Sequence, residues 1–101
     1  MEVDSVSPSF YWFVSNLIDK LGEELERKIP CYLRIKLVGS SAVKKILGVE
    51  ENCVLYSVRF LYCSEESMST AKEIIQRYGF KIEHIAWTTN GFAIYFSMSR
   101  R

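Results

Sequence analysis

A chain of 101 residues with 49% hydrophobic and 25% charged side chains has the size and composition of one folded domain, which excludes wholesale disorder. A formal net charge of only +1 excludes strong attraction of the whole molecule to DNA or to anionic membranes. The charge is nevertheless segregated. Residues 2–26 hold six acids (Glu2, Asp4, Asp19, Glu23, Glu24, Glu26) and one base, Lys20, whereas residues 27–45 hold six bases (Arg27, Lys28, Arg34, Lys36, Lys44, Lys45) and no acid. Such an asymmetry can build a local positive field on a neutral molecule.

The opening MEVDSVS is acidic and polar, unlike a signal peptide, and is expected to be a loose lead-in. Ser7 followed by Pro8 signals a helix start, a hydroxyl cap followed by a residue whose missing N–H costs nothing there. Phe10, Val14, Leu17, Ile18, Leu21 and Leu25 then recur at helical spacing, with Asp19, Lys20, Glu23, Glu24 and Arg27 on the other side. This predicts a long amphipathic helix ended by Pro30. Its apolar run, residues 10–14, stops at Ser15 and is far too short to span a membrane.

In residues 31–38, Leu33, Ile35 and Leu37 alternate with Tyr32, Arg34 and Lys36, which predicts a half-buried strand. Gly39-Ser40-Ser41 breaks it, and AVKKIL, closed by Gly48, predicts a helix of two turns at most. Residues 53–63 are rich in aromatic and β-branched side chains and form the strongest predicted strand. SEESMSTAKEIIQRYG follows, a second long helix with serine caps, early acids, a late Arg77 and Gly79 as terminator. Two final strands flank Thr89-Asn90-Gly91, and Asn-Gly is a strong hairpin signal.

These elements predict an α+β two-layer sandwich, one domain over residues 1–101, with two long helices on one face of a four-stranded, mainly antiparallel sheet. The first two strands could pair either way. An insert helix of about eight residues climbs roughly 12 Å, against about 26 Å for the strand it must return along. The antiparallel arrangement is therefore expected, bringing Cys31 towards Cys63, whereas a parallel one would bring it towards Cys53.

Sorting the strands by parity puts Leu33, Ile35, Leu37, Val54, Tyr56, Val58, Phe60, Phe80, Ile82, His84, Phe92, Ile94 and Phe96 beneath the helices, with His84 expected as a hydrogen-bonded core residue. The opposite face would carry Tyr32, Arg34, Lys36, Leu55, Ser57, Arg59, Leu61, Lys81, Glu83, Ile85, Trp87, Ala93, Tyr95 and Ser97. Bases, aromatic rings and aliphatic groups together mark a contact surface. The expected function is non-catalytic binding of single-stranded nucleic acid, with RNA the preferred partner and single-stranded DNA the other. Tyr32, Trp87 and Tyr95 would stack bases, while Arg34, Lys36, Arg59 and Lys81 hold phosphates. The alternative is a homodimer or larger protein complex formed through Leu55, Leu61, Ile85 and Trp87, with the bases as a polar rim. A weaker anion site is expected at Ser40, Ser41, Lys44 and Lys45, where a glycine turn opens a helix.

Catalysis finds little support in these residues. One histidine and no CxxC spacing predict neither a metal site nor a cofactor. Glu65-Glu66 fits the start of a helix better than an acid–base pair. An odd number of cysteines, with no leader or membrane segment, predicts a cytoplasmic protein that does not engage membranes.

Overall fold

The structure, a computed structural model, describes residues 7–61 and 64–100. Expectations that fall on the lead-in, on Tyr62 and on Cys63 lie outside these residues. Helix α1 (Pro8–Lys28) begins where the Ser7 hydroxyl accepts the Phe10 N–H at 3.2 Å, and it ends at Ile29, where the backbone becomes extended ahead of Pro30. After β1 (Tyr32–Leu37) comes α2 (Ser41–Leu47), capped by Ser40 and stopped by Gly48 in the left-handed conformation that glycine tolerates. Strand β2 (Cys53–Leu61) precedes α3 (Glu65–Arg77), which has Ser64 as its cap, two glutamates in its first turn and Arg77 in its last. Strands β3 (Lys81–Thr88) and β4 (Gly91–Ser99) close the chain as a hairpin turning through Thr89-Asn90.

The four strands form one sheet in the order β1-β2-β4-β3, with every neighbouring pair antiparallel. The expected α+β fold is thus observed, and the first two strands pair as the short insert requires. The Cys31 carbonyl accepts the Leu61 N–H at 3.0 Å, while Cys53 lies at the other end of β2, opposite Ser99. Cys31 is disulfide-bonded and Cys53 is a free, buried thiol.

Both long helices pack on one face. Val14, Leu21 and Leu25 of α1 and Ala71, Ile74 and Ile75 of α3 meet Val54, Tyr56, Val58 and Phe60 of β2 and Phe92, Ile94 and Phe96 of β4. Burial of this surface is the main stabilising term. Paired rings reinforce it, with Phe60 and Phe92 at 4.8 Å and Phe80 edge-on to Phe96 at 5.0 Å. No helix among the described residues is long and apolar enough to cross a membrane.

Two features reshape the opposite face. Each edge strand carries a register shift, β1 between Tyr32 and Arg34 and β3 between Ile82 and His84. A bulge adds one unpaired residue and so exchanges the faces of everything on one side of it. Helix α2 lies on this opposite face, where Val49, Cys53 and Leu55 are buried against Val38, Val43, Leu47 and Tyr95. One end of the face is therefore roofed by the chain itself.

Candidate functional site

Residues directly opposite one another in an antiparallel sheet share a face. The observed registers place Lys36, Ser57, Tyr95 and His84 in one row across all four strands, and Arg34, Arg59, Ala93 and Ala86 in the next. Arg34, Lys36, Arg59 and His84 are exposed, and Tyr95 is half-buried. A cleft of about 360 Å³ opens between these rows and α2, lined by Arg34, Lys36, Ser57, Arg59 and Tyr95, with Leu37, Val38 and Val43 as its apolar wall.

Among the described residues, no carboxylate lines that cleft. The ion pairs among the described residues, Lys28–Glu24 and Arg77–Glu24, belong to the helical layer. Arg34 sits on the edge strand and also borders a groove with Asp19, Glu23 and Glu26, without forming an ion pair there. Three cations and one aromatic ring therefore converge on a single concave surface. A second cleft of about 460 Å³ lies beyond Val49, lined by Glu50, Lys81, Glu83 and Ser97 among others. Its charge is mixed, and the nearly buried Ser97 hydroxyl donates to the Glu83 carboxylate at 2.6 Å.

Of the seven residues expected to bind nucleic acid, Arg34, Lys36, Arg59 and Tyr95 come together. The other three do not. Tyr32 precedes the β1 bulge, pairs with Phe60 and packs edge-on to its ring, on the helix-covered face. Leu33, expected beneath the helices, is instead exposed at the bulge. Trp87 follows the β3 bulge, pairs with Phe92 and lies 5.3 Å from it, ring to ring, again on the helix side. Lys81 projects at the mixed-charge cleft, away from the other cations.

The same bulge corrects two further expectations. Ile85 packs against the helix-side core, and His84, expected inside, is exposed on the sheet's other face opposite Tyr95. Leu55 is fully buried beneath α2. Of the four residues expected at a dimer interface, Leu61 alone remains exposed on this face.

At the expected anion site, the Ser40 hydroxyl accepts the Val43 N–H at 3.3 Å as a helix cap. The nearly buried Lys44 donates to the Glu51 carbonyl at 3.2 Å, so it tethers α2 to the following turn. Ser41 and Lys45 are exposed. The segment thus acts as a turn, a cap and a tether.

Chemically, the surface is suited to binding. Burial pushes the Cys53 thiol pKa up, with Glu50 and Glu83 adding to the shift and Lys44 opposing it, so the thiolate is disfavoured. No group of three or more His, Cys, Asp or Glu side chains that could hold a metal ion occurs among the described residues. Parity counting missed His84, Ala86 and the α2 wall. A signal for His84 does exist, because Ile82, Ile85 and Trp87 step by three and then two, breaking strict alternation where the bulge lies.

No protein family, curated protein or solved structure matches this chain.

Proposed function

We propose that the uncovered part of the sheet face is a non-catalytic binding site for single-stranded nucleic acid, with RNA as the natural ligand. Arg34, Lys36 and Arg59 hold phosphates, and Tyr95 stacks a base. The observation that carries this reading is the direct cross-strand pairing of Arg34 with Arg59 on an exposed face, with Lys36 beside them and no carboxylate among the described residues that line the cleft. Like charges set opposite one another destabilise a sheet, and an anionic ligand relieves that repulsion. Arginine suits the role because its planar fork matches phosphate oxygens. Tyr95 adds a ring that accepts any base, at about 1–3 kcal/mol per stacked base.

The test is fluorescence anisotropy with labelled ten-nucleotide RNA and DNA strands at low salt. Arg59→Ala and Tyr95→Ala should each weaken binding about tenfold with the circular-dichroism spectrum unchanged. Trp12→Ala should leave affinity unaltered, since Trp12 is exposed on α1 in the opposite layer. A wild-type protein that ignores every oligonucleotide, yet scatters light as a dimer dissociated by Leu61→Glu, would transfer the face to self-association. The proposal sets the protein in the cytoplasm, where RNA is abundant. The Cys31 disulfide favours an oxidising compartment instead. Alkylation of all three cysteines in protein drawn from cells without reductant would uphold the cytoplasmic placement, and a lone reactive Cys53 would refute it.

A further inference from the structure

The geometry points to His84 and Tyr95 as a two-ring platform that takes two neighbouring, unstacked bases of one strand. This rests on the reading above and adds the length of the ligand segment and the splayed state of its bases. The β3 bulge turns His84 outward, directly opposite Tyr95. Their ring centroids lie 6.1 Å apart with the planes tilted by 41°. Tyr95 is held from one side by the α2 cluster, while His84 is exposed at the sheet's edge strand.

Successive bases of a stacked strand lie face over face, roughly 3.4 Å apart along the axis. Rings set side by side at 6.1 Å cannot both serve such a stack. They suit bases splayed apart, the state in which single-stranded loops and ends are recognised. The adjoining row favours the same arrangement. Ala93 and Ala86 stand beside Tyr95 and His84 with only methyl groups, so the floor there is low, and Arg59 and Arg34 continue that row towards β1. A dinucleotide laid over β4 and β3 therefore has its backbone within reach of the cations of β2 and β1. A duplex, whose internal bases stay stacked and paired, offers the two rings no pair of neighbouring splayed bases.

Competition titrations with ribonucleotides one, two and four units long, and with a blunt duplex of the same sequence, test the platform on wild type, Tyr95→Ala, His84→Ala and His84→Phe. Wild type should gain roughly tenfold in affinity between one unit and two, and the duplex should fail to compete. His84→Ala should abolish that gain, and His84→Phe, which keeps a ring but no charge, should restore it. If His84→Ala gains as wild type does while Tyr95→Ala is weakened, the site reads a single base and the platform is overturned, although nucleic-acid binding stands. Failure of phenylalanine to restore the gain would assign His84 a charge or hydrogen-bonding role and overturn the platform equally. A wild type that binds none of these ligands would remove both readings together.

Discussion

Arg34 and Arg59 stand directly opposite one another on an exposed face, and among the described residues neither has a carboxylate within ion-pairing distance. A position kept for binding at the expense of the fold has a recognisable signature on mutation. Arg59→Thr removes the repulsion and introduces a β-branched residue suited to a strand. The unliganded protein should become more stable in urea by a few tenths to about 1 kcal/mol at low salt, while oligonucleotide affinity falls. A loss of stability on this substitution would mean that Arg59 serves the fold. Glu24 is the contrasting case, a charge that joins α1 to α3. Its carboxylate accepts the Tyr78 hydroxyl at 2.7 Å and lies 3.4 Å from Lys28 and 3.3 Å from Arg77. The Tyr78 hydrogen bond, followed by the two cations, holds its pKa below the ordinary value of 4.5. A carboxyl depressed in the folded state contributes stability above its unfolded pKa and loses it as the pH falls through the folded one. Urea midpoints of wild type should therefore drop as the pH falls below 4.5, and Glu24→Gln should lack that component. Identical acid profiles for the two proteins would dismiss the linkage.

The elements divide sharply in what the sequence made legible. Helix bounds were readable because their signals are local: Ser7, Ser40 and Ser64 each cap a helix through the side-chain oxygen, and Gly48 closes α2. The central strands β2 and β4 pair with each other without a register shift, so alternation placed Arg59, Tyr95, Leu55 and Phe60 on their correct faces. Edge strands are different. A bulge there breaks no hydrogen bond to an outer neighbour, so one is easily accommodated, and it also blunts the edge against unwanted pairing. In β3 the three-residue step from Ile82 to Ile85 betrays the bulge. In β1 nothing does, because Leu33, Ile35 and Leu37 alternate cleanly while the register shift falls among them. The roof formed by α2 was illegible for another reason, since seven residues leave little room for a periodic pattern to show which face they cover. The hairpin supplies this scale's prediction. A Cβ at Gly91 would collide with the Phe60 carbonyl oxygen and lie 2.9 Å from the Leu61 Cα, at a φ of +153° that side chains rarely adopt. Gly91→Ala should cost about 1–3 kcal/mol in chemical denaturation, because the colliding atoms belong to the backbone of a central strand. A substitution without cost would mean that the β2–β4 approach is looser than described.

For the whole molecule, a net charge of +1 leaves little long-range field to steer a polyanion, so the proposed affinity would have to come from cations close enough to touch phosphate. That makes the number of contacts measurable. Each phosphate neutralised on a single strand contributes about −0.7 to the slope of log K against log salt. Arg34, Lys36 and Arg59 together therefore predict a slope of about −2, and Arg59→Thr should bring it to about −1.4. Lys81 lies outside the cleft and lines the mixed-charge one, so Lys81→Ala should leave the slope where it was. The pattern is discriminating because the rival uses of this surface predict different numbers. Self-association through Leu61 would show almost no dependence on oligonucleotide or on salt. A strand that ran along the sheet beneath α2, instead of across its uncovered end, would have to displace the Val43–Leu55–Tyr95 contacts and would recruit Lys81. A slope of about −2.8 that relaxes to about −2 in Lys81→Ala would thus show α2 to be a movable cover, whereas a slope of about −2 indifferent to Lys81 would mark it as the wall of the proposed site.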